Sequence, residues 1–278
     1  MSTLPLKQFP SERIVAVLTR QRHQQCRQWL AILGVSVLIV TALIYADAFA
    51  LERYRDAGQT LLQLASDAWP PDFSRWQHWG RPLLETLAMS VAGTALGLLV
   101  ALPLGIVAAR TVCPAKLGAP VLLLLHAIRS IPCLVWGIIY VAAVGFGPLP
   151  GVLALASHSA GMLGKFCAEL LEHTDPAAGN ALRSQGVSEL GVLRFAVLPQ
   201  ILPRLADITL YRWEHNLRAA TTLGVVGAGG LGLEIITAFH LFEYREALAL
   251  VGVLLLLVTL INLAGARIRA SFVAAISA

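Results

Sequence analysis

Charge is what this chain has least of. Only 13% of its 278 residues are Asp, Glu, Lys or Arg, against about 25% in an ordinary soluble domain. Hydrophobic residues make up 57%, and the mean hydropathy is +0.71. That balance excludes an ordinary soluble domain. The apolar runs cover almost the whole length, so one membrane domain and no soluble domain is expected. Cysteine is also scarce. Cys26, Cys113, Cys133 and Cys167 follow no zinc or C-x-x-C spacing. In the topology below none falls in an extracytoplasmic loop, so no structural disulfide is expected, and these are small apolar residues. The first 28 residues lack a short apolar core with a small-residue cleavage site. The first apolar run is therefore expected to act as its own insertion signal. No G-x-x-x-x-G-K-[ST] loop is present, which argues against an ATPase site on this chain. There is no low-complexity segment and no obvious repeat.

A spanning helix needs about 20 mostly apolar residues. Six stretches qualify: 29–50, 83–109, 117–144, 149–171, 201–226 and 247–266. The fifth is the least apolar. Pro103 and Pro132 lie inside spans, where neighbouring helices can tolerate a kink. Basic residues set the orientation. Lys7, Arg13, Arg20, Arg22 and Arg27 precede the first span. Arg110 and Lys116 lie between the second and third. Lys165, Arg183, Arg194 and Arg204 flank the fourth-to-fifth connection, and Arg267 and Arg269 follow the sixth. The opposite connections are balanced or acidic. Six spans with both termini cytoplasmic satisfy the rule throughout. The expected organisation is a cytoplasmic tail at 1–28 and one transmembrane domain at 29–278, with an outer loop at 51–81 and a cytoplasmic loop at 172–200. Trp69, Trp76 and Trp79 in the outer loop suit the membrane–water interface.

The stretch "VVGAGGLGLE" contains Gly227, Gly229 and Gly232 in a G-x-G-x-x-G pattern. A dinucleotide site needs a strand before this pattern and a helix after it, inside a soluble βαβ unit. A spanning helix precedes it here, so an NAD site is excluded. Gly227, Gly229, Gly230 and Gly232 let the backbone turn sharply and let helices approach closely. The expected role is an outer gate or hinge.

Ionisable groups inside the membrane cost about 2.5–3.5 kcal/mol each at the helix centre. The fifth span carries Arg204, Asp207, Arg212, Glu214, His215 and Arg218. Positions 204, 207, 211, 214, 215 and 218 share one stripe of a helix, which must face protein or water. Arg129 in the third span and His158 in the fourth lie at comparable depth. One reading places Arg129, His158, Arg212, Glu214 and Arg218 along a net-positive translocation path suited to an oxyanion. The other has the charges pairing among themselves to fasten the bundle, with Glu214 joined to Arg212 or Arg218. His158, between Ser157 and Ser159, also reads as a packing histidine. An enzyme site built on His158, Lys165, Glu169 and His173 is disfavoured, because His158 and Glu169 are about three turns apart on one helix. A purely structural anchor leaves the buried charges without purpose.

Between the fourth and fifth spans lies "EHTDPAAGNALRSQGVSELGVLRFAVLPQILPRL". Asp175-Pro176 can start a helix, with Asp capping and Pro in the first turn. A short helix at 177–185 is expected to end at Gly186, and a second from Ser188 to end near Pro199. An amphipathic connection of this kind has no specific function unless something docks on it.

"NALRSQGVSELGVLRFAVLP" resembles the loop motif of bacterial ABC importer permeases, E-A-A-x3-G-x9-I-x-L-P. Ala181, Gly186, Leu198 and Pro199 match; Asn180, Leu182 and Ala196 depart from it. "RSIPCLVW", "VAAVGFGPLPGVLALASHSAGMLGK", "VLPQILP" and "LYRWEHNLRAATTLGVVGAGGLG" narrow the resemblance to phosphonate importer permeases, to which phosphite importer permeases are similar. Cys133 stands where some phosphonate permeases carry Glu. The resemblance implies an all-α integral membrane protein with six transmembrane helices and the type I importer permease architecture. It implies a homodimer, two cytoplasmic ATPase subunits that hold ATP and magnesium, and an extracytoplasmic substrate-binding protein. No cofactor or metal is expected on this chain. The resemblance also implies that Asn180, Ala181, Leu182, Gly186, Leu198 and Pro199 form the ATPase-coupling segment. The cargo implied is phosphonate, phosphite or a related small phosphorus oxyanion. A permease for methionine or another amino acid is the alternative, since those relatives share the loop and the glycine run; the Arg residues of the fifth span argue against it.

Overall fold

The computed structural model describes Ser11–Ile276, and every regular element among those residues is helical. The expected tail at 1–28 thus lies partly outside the described residues. The chain divides into two compact units, 1–64 and 65–278. In the first, α1 (Ser11–Tyr45) is one 35-residue helix that carries the basic segment straight into the first apolar run. Its 27–45 portion is long and apolar enough to cross a membrane, and none of that window is buried. α2 (Leu51–Tyr54) follows, and α3 (Ala57–Ala68) runs across the boundary. The segment expected as an outer loop is therefore largely helical.

The second unit is built around α4 (Gly80–Ala108) and α7 (Pro148–Glu172). Lipid tails are as apolar as leucine, so helices in a bilayer associate by close packing rather than by expelling water. The sequence supplies the means. Gly93, Gly97, Ala101, Gly105 and Ala108 are buried on one face of α4. A Cβ at Gly93 would sit 2.6 Å from Leu155 Cβ, one at Gly97 2.7 Å from Ser159 Cβ, and one at Gly105 2.7 Å from Cys167 Cβ. Three glycines on one stripe therefore let the α7 backbone lie directly against α4.

The expected third span, 117–144, is not one helix. It breaks into α5 (Ala115–Ser130) and α6 (Cys133–Val144), which meet at 88°. Pro132 lacks an N–H and forces the preceding residue out of the helical region, and Ile131 is extended at φ −78°, ψ 122°. The indole Nε1 of Trp136 donates to the Ile128 carbonyl at 3.3 Å, satisfying one acceptor freed by the break. At 16 and 12 residues the arms are about 24 and 18 Å long, each too short to cross about 30 Å of hydrocarbon alone.

α10 (Leu198–Gly224), α11 (Gly230–His240) and α12 (Tyr244–Ile276) complete the unit. α11 is an addition to the expected layout. It packs back against α10 because Gly224 and Gly232 put the two backbones in contact; a Cβ on either would meet the other helix's main chain. Among the described residues three helices have the length and apolarity to cross a membrane, or four with the bent pair. α7 and α10 are long enough, at 25 and 27 residues, but carry small and polar residues instead. Being packed against other helices relaxes their need for an apolar surface.

Candidate functional site

Polar side chains converge between α4, α7 and α10. Arg212 is 3% exposed. Its Nε donates to Ser159 Oγ at 3.0 Å and one terminal nitrogen approaches Met162 Sδ at 3.1 Å. Its other terminal nitrogen has no partner. Asn216, fully buried, donates through Nδ2 to Thr94 Oγ1 and to Ser159 Oγ, both at 2.8 Å, while its Oδ1 is unpartnered. Ser90 accepts from Trp213 Nε1 at 3.2 Å. The small residues that bring α4 and α7 together therefore also deliver the hydroxyls of Thr94 and Ser159 to α10. His158 lies beside Arg212 and His215, with Nδ1 unpartnered. Cys133, at the first turn of α6, is also an electrostatic neighbour of Arg212.

The charges do not pair as the spacing suggests. Glu214 is buried and bonds Arg269 of α12, rather than Arg212 or Arg218. Gly265 of α12 makes the room, since a Cβ there would collide with the Glu214 carboxylate. Arg269 also lies 3.8 Å from Asp207. Arg129 and Arg218 are exposed and, among the described residues, make no ion pair. Arg212 thus joins His158 inside the bundle, whereas Arg129 and Arg218 do not share that cluster. Arg204, Asp207, Tyr211 and Arg218 are exposed along one face of α10, and Arg212, Asn216 and Ala220 are buried on another. The expected single stripe divides because Glu214 turns to α12.

At the glycine run, Gly227, Gly229 and Gly230 have φ of +89°, +80° and +71°, where a side chain is disfavoured. Gly232 lies in α11. The Gly147 N–H donates to the Gly227 carbonyl at 3.0 Å, tying this turn to the one between α6 and α7. Glu85 Oε2 accepts from the Gly230 N–H at 3.2 Å, and Thr86 Oγ1 from the Leu231 N–H at 2.9 Å. An acidic group at this end of α11 also complements the helix dipole. Glu85 and Thr86 lie some 145 residues away in the chain, so spacing alone does not reveal them.

In the 172–200 loop, Asp175 caps α8 (Pro176–Ser184), accepting from the Ala177 N–H at 2.9 Å. Gly186 follows with φ +79° and open space around it. Ser188 caps α9 (Glu189–Val192). This second helix does not end near Pro199. A π-helical turn at Leu193–Val197 carries it into α10, and Pro199, which has no N–H to donate, follows directly on that change of helical register. Arg183 holds Glu189 in a two-pronged pair at 2.8 and 2.9 Å and also reaches Asn180 Oδ1 at 3.2 Å. The hydrogen bonds from Arg183 keep the Glu189 carboxyl below its usual range. Leu190 and Phe195 are exposed. Asn180, Ala181, Leu182 and Gly186 thus sit on α8 and its C-terminal turn, while Leu198 and Pro199 open α10.

At the other end of the unit, Arg75 bridges Glu243 at 3.3 Å and Glu246 at 3.0 Å, Trp79 Nε1 donates to Glu246 at 3.2 Å, and Arg245 donates to the Pro70 carbonyl at 2.8 Å. Arg75, Glu243, Arg245 and Glu246 edge a cavity of about 430 Å³ together with Asp67 and Asp72.

A helical membrane bundle with a buried arginine, tight helix packing and a structured polar loop is consistent with a transport subunit. The chain belongs to the family of binding-protein-dependent transport system inner membrane components, whose pattern matches residues 101–277. It is therefore a multi-pass inner-membrane protein. It is 49% identical over 214 residues to the phosphite transport system permease protein PtxC of Stutzerimonas stutzeri, covering 77% of this chain and 78% of that one. It is 37% identical over 215 residues to the phosphate-import permease protein PhnE of Mycolicibacterium smegmatis, covering 77% of this chain and 40% of that one. Among solved structures it resembles an inward-facing form of the MetNI methionine ABC transporter with a TM-score of 0.64 at 26% identity, covering 72% of this chain and 99% of that one. The architecture is that of a type I ABC importer permease.

Proposed function

We propose that this chain is the permease subunit of an ABC importer for phosphite, phosphonate or a related small phosphorus oxyanion. The observation that carries the reading is the 49% identity, across three quarters of both chains, to a phosphite transport permease. The cationic groups supply the matching chemistry. Among the described residues Arg212 is buried without a carboxylate partner, and Arg129 and Arg218 are exposed without one. An exposed unpaired guanidinium in a bilayer must face protein or water. A second permease subunit, most simply a copy of this chain, gives the charged face of α10 that environment, and a two-fold pair places each Arg in the path twice.

In this reading the chain performs no chemistry of its own. ATP and magnesium are held by two cytoplasmic ATPase subunits, and an extracytoplasmic binding protein delivers the anion. Both termini and the 172–200 loop face the cytoplasm. Asn180, Ala181, Leu182, Gly186, Leu198 and Pro199 form the coupling segment, and the Arg183–Glu189 pair stiffens it. The exposed Leu190 and Phe195 offer apolar contact to the ATPase. Arg129, His158, Arg212, Glu214 and Arg218 belong to the translocation machinery, with Glu214 acting through its pair with Arg269. The turn at Gly227, Gly229, Gly230 and Gly232 is the outer gate.

The test is ATPase activity of the purified complex in lipid with its binding protein, against phosphite, methylphosphonate, phosphate and methionine. Stimulation by a phosphorus anion is expected. Stimulation by methionine alone would overturn the oxyanion reading, and failure of any ATPase to copurify would overturn the importer reading.

A further inference from the structure

We infer that Arg212, Asn216 and His158 form an internal binding site for a protonated phosphorus oxyanion, reached on the side of Cys133. The inference rests on the proposed function for the identity of the cargo. The site itself rests on polar atoms that the fold buries and leaves unmatched. Among the described residues Arg212 is a buried cation with no carboxylate: Glu214, the acidic residue two positions on, is committed to Arg269. Burying a charge is tolerated when a counter-ion and hydrogen bonds repay the lost hydration. Here Ser159 takes Nε and Met162 takes one terminal nitrogen, and the other terminal nitrogen is left over. Asn216 Oδ1 is likewise buried and unmatched, as is His158 Nδ1.

Arg212 and Asn216 meet at Ser159. Arg212 Nε and Asn216 Nδ2 both bond the same oxygen, Ser159 Oγ, at 3.0 and 2.8 Å. His158 precedes Ser159 in α7, with Arg212 and the Ile131 main chain among its neighbours. His158 and Cys133 are only half-buried, so the anion enters on their side. The unmatched set is a cationic donor and a neutral acceptor, with an imidazole at the rim. A singly protonated phosphite or phosphonate carries P–O⁻ oxygens for the guanidinium and one P–OH for the amide oxygen. Sulfate is fully deprotonated near neutral pH and has no hydrogen to offer Asn216. A site that hydrogen-bonds a substrate hydroxyl rejects an analogue lacking it, because its own polar atom then stays unpaired.

Cys133 gives the readout. Cys26→Ser and Cys113→Ser remove two other thiols, and Cys167 is 1% exposed. The assembled transporter, in nanodiscs without ATP, is treated with neutral methyl methanethiosulfonate in the presence of phosphite, phosphate, methylphosphonate or sulfate. Transport of the same anions is measured on the same unlabelled complex reconstituted in proteoliposomes with internal ATP and external binding protein. The transported phosphorus anion should slow Cys133 modification at least fivefold, and sulfate should not. Arg212→Gln should abolish protection, and Arg212→Lys should retain only part of it, since an ammonium lacks the planar fork. Transport without protection, or protection unchanged in Arg212→Gln, would overturn the site while leaving the proposed function standing. Equal protection by sulfate would overturn the role of Asn216. Transport of none of the phosphorus anions would overturn the proposed cargo, and this site with it.

Discussion

Replacing Gly97 with alanine tests the link between packing and site. The substitution adds one methyl group. In a helix interior alanine is favoured over glycine by about 0.5–1 kcal/mol, so without neighbours the change stabilises. At Gly97 there are neighbours. The new Cβ falls 2.7 Å from Ser159 Cβ and 3.0 Å from the Ala156 carbonyl oxygen. Both belong to α7, and the closest carbonyl is main chain, so the helices must part rather than a side chain swing aside. Overpacking of this kind costs about 1–3 kcal/mol, which offsets the helix gain and leaves a net loss of up to about 2.5 kcal/mol. Gly252 in α12 is the control, because a Cβ there meets nothing within 4 Å. Thermal denaturation in detergent should show Gly97→Ala melting about 2 °C or more below wild type, with Gly252→Ala at or above it. Transport should fall further than stability in Gly97→Ala, because Ser159 is the oxygen on which Arg212 and Asn216 both rest. Equal melting of the two variants would refute the close-packing argument, and full transport by Gly97→Ala would refute the dependence of the site on it.

Glu214→Gln leaves Arg269 with only the more exposed Asp207 at 3.8 Å and should destabilise the complex by about 1–3 kcal/mol, whereas the double variant Glu214→Gln/Arg269→Met should recover much of that loss, as a denaturation cycle would measure. Additive losses would exclude a coupled pair. Replacing Gly186 with leucine places a side chain at φ +79°, in open space; it should uncouple ATP hydrolysis from uptake while the protein still reaches the membrane, and normal uptake would sink the coupling assignment. Glu189→Gln weakens the clasp on Arg183 and should lower substrate-stimulated ATPase activity several-fold with assembly intact. Activity equal to wild type would show that the clasp is dispensable.

The helical membrane architecture was legible because composition and apolar run length report the solvent directly. Pro132 marked a distortion but not its angle; the 88° turn depends on how α6 is received by α7 and α10. The glycine run was legible as a turn, but "GLGLEIITAFH" is too short to be a span and begins with glycine, so α11 was not. Local spacing proposed Glu214 with Arg218, and the partner instead came from 55 residues away, through a gap that Gly265 leaves. Asp175-Pro176 marked the start of α8 correctly because a cap is a local interaction. Pro199 misled because a proline beside a π-helical turn looks the same in sequence as a proline ending a helix. The cluster around Ser159 was partly legible, since an Arg at membrane depth demands explanation, but Thr94 and Asn216 carry no charge and gave no signal.

The most direct measurement is uptake by proteoliposomes holding this chain and its ATPase subunit, driven by internal ATP and supplied with the binding protein outside. The account predicts that phosphite, or a close phosphorus anion, accumulates inside in an ATP-dependent manner and that methionine does not. Accumulation of methionine without any phosphorus anion would contradict it.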